Sequence, residues 1–250
     1  MSTIAMTGAA GGVGSILARG MRRELRLTDL REAPGVEELD VRDLPAVEAA
    51  FGGIDAVIHL GAIPTEAPFE DILDHNLKGT YNVLEAARRC AVRRVVFAST
   101  NHVTGMYGRA DRIGPEAAIR PDTYYGVSKA FGEALGRLYA EKWGVSVVCI
   151  RIGTCIERPL NVRHLSTWLS PRDAVALFTA AVDADVDFSI VYGASANTRG
   201  WWDLASARAL GYQPQDDAES FADEVAEDPS EQFGTQGGPF TEPAFAGERS

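Results

Sequence analysis

The chain has 250 residues, enough for one large domain that buries a full core without disulfide or metal staples. Hydrophobic residues make up 46% and charged residues 24%, a balance that excludes a disordered or fibrous chain and matches a globular one. The formal net charge of −11 disfavours nucleic acid and anionic membranes as partners, yet leaves room for an anionic small molecule held by one local arginine.

Short apolar runs alternate with amphipathic stretches along the chain. The pattern predicts a strand over Thr3–Thr7, a helix over Val13–Met21, strands over Leu25–Thr28 and Val36–Leu39, and a helix over Leu44–Phe51. A strand over Ala56–Leu60, a helix over Ile72–Cys90 and a strand over Arg94–Ser99 follow. The later elements are a helix over Tyr124–Trp143, a strand over Ser146–Arg151, a helix over Pro171–Asp183 and a strand over Phe188–Tyr192. Several strands are rich in β-branched residues and lack polar alternation, as strands covered on both faces should. The repeated strand–helix order implies an α/β, Rossmann-type, doubly wound parallel sheet. After about Gly193 the pattern weakens, and Asp216 to Ser250, acidic and rich in Gly and Pro, reads as an irregular tail. The division expected is one dinucleotide-binding domain over residues 1–250, with a small C-terminal substrate-binding portion and substrate-side segments from about 152–170 and 192–250.

Cys90, Cys149 and Cys155 are odd in number and lack metal-ligand spacing, which argues for a reducing, cytoplasmic setting and against a bound metal. The N-terminus has no basic segment followed by a long apolar one, so no signal peptide is expected. No run approaches the ~18 apolar residues of a membrane span.

The first strand runs into Thr7-Gly8-Ala9-Ala10-Gly11-Gly12-Val13-Gly14. Glycines where a strand turns into a helix allow a tight turn and close approach of a pyrophosphate, and the helix N-terminus offers N–H groups to its oxygens. Gly8, Gly11, Gly12, Val13 and Gly14 are therefore assigned to a dinucleotide. Asp29, at the end of the second strand, can accept from the adenosine ribose hydroxyls and repel a 2′-phosphate, so NAD is expected over NADP, with Arg31 softening the preference. Asp40 and Val41 are placed to meet the adenine, and Leu60, Gly61 and Ala62 to pass beside the ribose and nicotinamide.

Tyr125 and Lys129 open the longest helical pattern and, four apart, share one face about 6 Å apart along the axis. An ammonium near a phenol favours the phenolate, so Tyr125 is expected to have a lowered pKa and to act as base. Ser99-Thr100-Asn101-His102 follows the fifth strand, at the edge where the glycine loop lies, and Thr100 can bond the reacting oxygen.

Together these features resemble the extended short-chain dehydrogenase/reductases, whose Thr-Gly-x-x-Gly-x-x-Gly motif and Ser/Thr, Tyr and Lys triad match Thr7 to Gly14 and Thr100, Tyr125 and Lys129. Asn76-Leu77-Lys78-Gly79-Thr80 is similar to that superfamily's fourth-helix motif. The strings FASTNH, YYGVSKAFGE, IRIGTC, LSTWLS and VYGASANTRGWWD are similar to the uronate dehydrogenase branch over nearly the whole chain. That resemblance implies that Asn101, His102, Thr154 and Arg163 line a sugar site with Thr100 and Tyr125, and that Cys155 belongs to the cofactor contacts, packing being its alternative role. Pro64 departs from the serine expected there, which removes one hydroxyl contact. The planar Arg163 guanidinium suits a carboxylate; as a lone arginine it reads first as surface decoration, and the resemblance reverses that order. Trp168, Trp201 and Trp202 read as core or interface residues before pocket walls.

The implied reaction is oxidation of a hexuronic acid, galacturonate or glucuronate, at C1 to the aldaro-1,5-lactone, with the hydride passing to NAD. Two alternatives stay open: a sugar-nucleotide epimerase or dehydratase that keeps NAD tightly bound, and a non-catalytic dinucleotide-sensing regulator. The partner expected is a small uronate, with no nucleic acid and no membrane; a homo-oligomer stays open.

Overall fold

A computed structural model describes residues 3–228, 231–243 and 245. The elements run β1 (Thr3–Thr7), α1 (Gly12–Gly20), β2 (Glu24–Asp29), β3 (Glu37–Glu38), α2 (Leu44–Phe51) and β4 (Ala56–His59). Next come α3 (Phe69–Ile72), a π-helical stretch over Leu73–Lys78, α4 (Gly79–Arg89), β5 (Arg94–Thr100) and α5 (Tyr124–Trp143). The chain continues through β6 (Ser146–Ile152), β7 (Thr154–Cys155), α6 (His164–Thr167), β8 (Trp168–Leu169), α7 (Pro171–Asp183), β9 (Phe188–Gly193) and α8 (Ala205–Ala209).

Seven parallel strands form one sheet in the order β3-β2-β1-β4-β5-β6-β9, while β7 and β8 pair separately. Consecutive side chains leave a strand on opposite faces, and both faces are covered. Ile4, Met6, Ile58, Val148 and Ile150 pack with Leu17 of α1 and Leu177 and Phe178 of α7 on one side. Ala5, Val57, Val95, Phe97 and Val147 pack with Phe51 of α2, Val83 of α4 and Tyr139 of α5 on the other. That double burial is why the strands read as continuous apolar runs. Strand order reverses between β1 and β4, so a crevice opens at the C-terminal ends of these strands.

The expected helix over Ile72–Cys90 is not one α-helix. It is two α segments around the wide π turn, where Asn76 faces inward. Asn76 accepts from the Ile63 N–H (2.8 Å) and donates to the Ile63 carbonyl (3.1 Å) and Ser128 Oγ (3.0 Å), tying the loop after β4 to α5. The expected strand over Val36–Leu39 shrinks to Glu37–Glu38 at the sheet edge. α6, β7, β8 and α8 were too short to show as a periodicity. The expected tail from Asp216 is irregular but ordered around 3-10 turns at Ala218–Phe221, Glu231–Phe233 and Gly238–Thr241; its residues 229, 230, 244 and 246–250 lie outside the described residues. Trp201 and Trp202 are buried in a satellite core with Tyr192, and Trp168 in another with Leu165 and Ala218.

α5 lies unusually close to the sheet. A Cβ on Gly132 would stand 2.3 Å from the Phe97 ring, and one on Gly136 would stand 2.9 Å from Val147. Between them, Glu133 meets the buried Arg151 of β6 in a two-pronged pair, 2.8 Å on each side, and also accepts from Ser99 Oγ at 2.7 Å. Truncating one partner leaves the other charge buried and unpaired. Glu133→Ala should therefore lose about 3–5 kcal/mol of unfolding free energy in chemical denaturation; a loss below about 1 kcal/mol would show that Arg151 is compensated elsewhere.

Candidate active site

The crevice at the strand ends is a cleft of about 830 Å³, within the range of small-molecule and cofactor sites. At one end lies the glycine loop. Gly8 has φ +73°, and a Cβ there would fall 2.6 Å from the Gly61 N–H nitrogen, so the turn after β1 and the loop after β4 touch through bare backbone. Beside Gly12 a Cβ would meet nothing within 4 Å, and no side chain caps α1. That open cradle at an uncapped helix N-terminus fits a pyrophosphate. Val13, Gly11 and Gly14 line the same end.

Asp29 ends β2, 7% exposed. Its Oδ2 accepts from the Ala10 N–H and its Oδ1 from the Arg31 N–H, both at 2.9 Å. Asp29 therefore also fixes the glycine loop. The Arg31 side chain is mostly exposed, with Nε 3.6 Å from Asp29. Asp40, Val41, Leu60, Gly61 and Ala62 line the cleft, and Arg42 grips the Asp40 carboxylate through Nε and Nη2, holding its pKa below the usual range.

The other end is built on β5 and α5. Thr123 caps α5, accepting from the Gly126 N–H at 3.0 Å, and Glu66 accepts from the Tyr125 N–H at 2.9 Å. Tyr125 and Lys129 are 8% and 4% exposed. The Lys129 Nζ sits 4.9 Å from the Phe97 ring centre and 5.8 Å from that of Tyr125. The expected lowering of the Tyr125 pKa is not found. Burial pushes the phenol up to about 12, with the Thr100 hydrogen bond pulling the other way, and burial brings Lys129 down to about 7. The ammonium lies toward the ring, so desolvation outweighs the lysine's attraction for phenolate. Burial thus favours the uncharged form of each group.

Thr100, Asn101, His102, Thr154, Cys155, Arg163 and Pro64 line this end. The Asn101 Nδ2 is buried with no partner among the described residues. The His102 Nδ1 donates to the fully buried Asp122 carboxylate at 2.7 Å. Thr154 Oγ1 lies 2.8 Å from Thr167 Oγ1. Cys155 packs against the core, and burial lifts its thiol to about 12, which excludes a ready thiolate. Arg163 donates from Nε and Nη2 to the Gln236 carbonyl at 3.1 and 2.7 Å, and no carboxylate pairs with it among the described residues. Burial and the neighbouring Arg109 lower its pKa to about 10, Asp228 and Asp122 offsetting part of that shift. Trp168, Trp201 and Trp202 do not line the cleft. Glu66, Asp122, Gln236 and Phe240 had not been anticipated. Asp122 precedes a helix and reads as ordinary capping sequence, while the others sit in segments without periodicity.

Residues 4–188 match the NAD dependent epimerase/dehydratase family. The chain belongs to that family. Its cofactor is NAD. Among family relatives, uronate dehydrogenase of Pseudomonas putida is 43% identical over 94% of this chain and 94% of that protein. L-arabinose 1-dehydrogenase (NAD(P)(+)) of Haloferax volcanii is 39% identical over 87% of this chain and 98% of that protein. The structure of a mutant uronate dehydrogenase from Agrobacterium tumefaciens complexed with NAD superposes with a TM-score of 0.90 at 41% identity, covering 98% of this chain and 99% of that one. No helix among the described residues is long and apolar enough to cross a membrane.

The Asp29 carboxylate lines the cleft beside the glycine loop, where the sequence places the adenosine ribose. Asp29→Ser should raise KM for NAD about tenfold or more and lower that for NADP, the worth of a charge-assisted hydrogen bond. Equal use of both cofactors by the parent protein in steady-state assays would contradict the assignment.

Proposed function

We propose that this protein is an NAD-dependent uronate dehydrogenase that oxidises galacturonate or glucuronate at C1. The observation that carries the substrate class is Arg163: a half-buried guanidinium with no described carboxylate within ion-pair distance, in the same cleft as Tyr125 and Lys129. A partly desolvated cation with no direct ion-pair partner is costly, and a ligand carboxylate relieves that cost through paired hydrogen bonds. The 43% identity with a uronate dehydrogenase supports the same reading.

In this proposal Gly8, Gly11, Gly12, Val13 and Gly14 hold the pyrophosphate of NAD and Asp29 its adenosine ribose. Asp40 and Val41 meet the adenine, and Leu60, Gly61, Ala62, Lys129 and Cys155 border the nicotinamide half. NAD, when bound, accepts the hydride from C1. Tyr125, as phenolate, removes the proton from the C1 hydroxyl, and Thr100 holds that oxygen by a hydrogen bond. Lys129 supplies the positive charge that favours phenolate once polar ligand atoms surround it. Asn101, through its unpartnered Nδ2, binds a sugar oxygen; His102 and Thr154 bind others. Arg163 anchors the carboxylate at the far end. The division proposed is a single domain over residues 1–250, with substrate-side segments from about 152–170 and 192–250, acting on a small molecule in the cytoplasm.

The substrate is the closed pyranose and the first product the 1,5-lactone. In the ring form C1 carries both a hydroxyl for Tyr125 and a transferable hydrogen, whereas the open aldehyde lacks that hydroxyl. Cys155 packs against the core and burial pushes its thiol up, which argues against a thiohemiacetal route. Early proton NMR spectra at mildly acidic pH should show lactone before linear aldarate; linear product alone from the first time points contradicts this step. Arg163→Ala should raise KM for uronates about 10- to 150-fold, the worth of a charge-assisted contact, with KM for NAD little changed. Unchanged uronate kinetics in that variant would remove the anchor.

A further inference from the structure

The guanidinium of Arg163 is held by a segment far away in sequence. Its Nε and Nη2 donate to one acceptor, the backbone carbonyl of Gln236, at 3.1 and 2.7 Å. Gln236 is 1% exposed. Its side-chain Nε2 donates to the carbonyls of Gly108 (3.1 Å) and Asp111 (2.9 Å), and its Oε1 accepts from Trp202 Nε1 at 2.8 Å. Its backbone N–H donates to the Tyr107 carbonyl at 2.9 Å. Every polar group of this residue is therefore used, and none of its partners is a neighbour in sequence. The Arg163 guanidinium also lies over the Trp201 ring, 6.0 Å from its centre.

We infer that Gln236 is the positioning residue of the substrate-carboxylate anchor, and that the C-terminal strap around it sets selectivity for uronates over neutral sugars. The inference rests on the uronate reading above. A guanidinium offers two edges for a paired contact. The Gln236 carbonyl closes the Nε–Nη2 edge, so the carboxylate is left the Nη1–Nη2 edge. Fixing one edge fixes the plane and reach of the other, and with it the distance at which the reacting end of the sugar meets Tyr125. A long arginine side chain otherwise loses rotamer freedom when it binds; here that freedom is already spent in the unliganded protein, which favours tighter binding. The side chain of Gln236 never touches the ligand in this scheme. It acts by clamping its own carbonyl between the loop after β5 and Trp202.

The test compares two variants on uronates, a neutral aldose and NAD, each confirmed folded by its thermal melting. Gln236→Ala removes three side-chain bonds of the clamp. Trp202→Phe removes one and keeps an aromatic ring against Tyr192. KM for galacturonate or glucuronate is expected to rise about tenfold in Gln236→Ala and about threefold in Trp202→Phe. KM for NAD and kcat/KM for the neutral aldose should stay within about twofold, so that selectivity falls through uronate binding alone. Parent-like KM for uronates in both folded variants overturns the role of Gln236. An equal loss on uronate, aldose and NAD also overturns it, because that pattern marks general damage to the fold. If Gln236→Ala does not fold, Trp202→Phe alone decides between these outcomes. A parent enzyme that handles the aldose as well as the uronate overturns the underlying uronate reading, and this inference falls with it.

Discussion

The candidate site depends on how closely α5 lies against the sheet. Tyr125, Lys129 and Glu133 stand at successive fourth positions and so share one face of that helix. Glycine at 132 and 136 lets the face settle onto Phe97 and Val147, and the Glu133–Arg151 pair fixes it there. The same carboxylate takes the Ser99 hydroxyl. The next residue on β5 is Thr100, which lines the cleft together with Tyr125. One strand end thus serves two purposes through adjacent residues, one anchoring the helix and the next lining the cleft.

Close packing has an electrostatic consequence. Burial disfavours charge on Tyr125, on Lys129 and on Arg163 alike. The protein carries a net charge of −11, yet its cleft holds the buried Lys129 and the half-buried Arg163, both with pKa values lowered chiefly by lost hydration. Distant surface carboxylates do little for them, since salt screens exposed charges over about 8–10 Å. A ligand carboxylate in the cleft would offset the desolvation of the cations there.

Much of this is legible in the sequence, and the reason is local. The glycine turn, the acid ending the second strand and the Tyr/Lys spacing are short-range patterns, each tied to one backbone conformation. Parallel topology then carries them to one edge, which is why Gly8, Asp29, Gly61, Thr100 and Thr154 line one cleft. What stayed illegible is long-range. Glu66 reaches Tyr125 across 59 positions, and Gln236 reaches Arg163 across 73. No periodicity announces such contacts. The π turn at Leu73–Lys78 was hidden for another reason: its apolar spacing imitates a continuous helix, and the turn exists to bring Asn76 inward. The Tyr125 pKa was misjudged because helix spacing gives separation along an axis but neither the direction of the lysine nor the depth of burial.

The central claim is that this geometry performs net oxidation of a uronate, as opposed to a transient oxidation with NAD retained. Steady-state NADH formation by the purified protein with excess NAD and galacturonate or glucuronate tests it most directly. Many equivalents of NADH per protein chain, linear in enzyme concentration, are expected. At most one equivalent, with the cofactor still bound after turnover, would contradict it and favour the epimerase or dehydratase alternative.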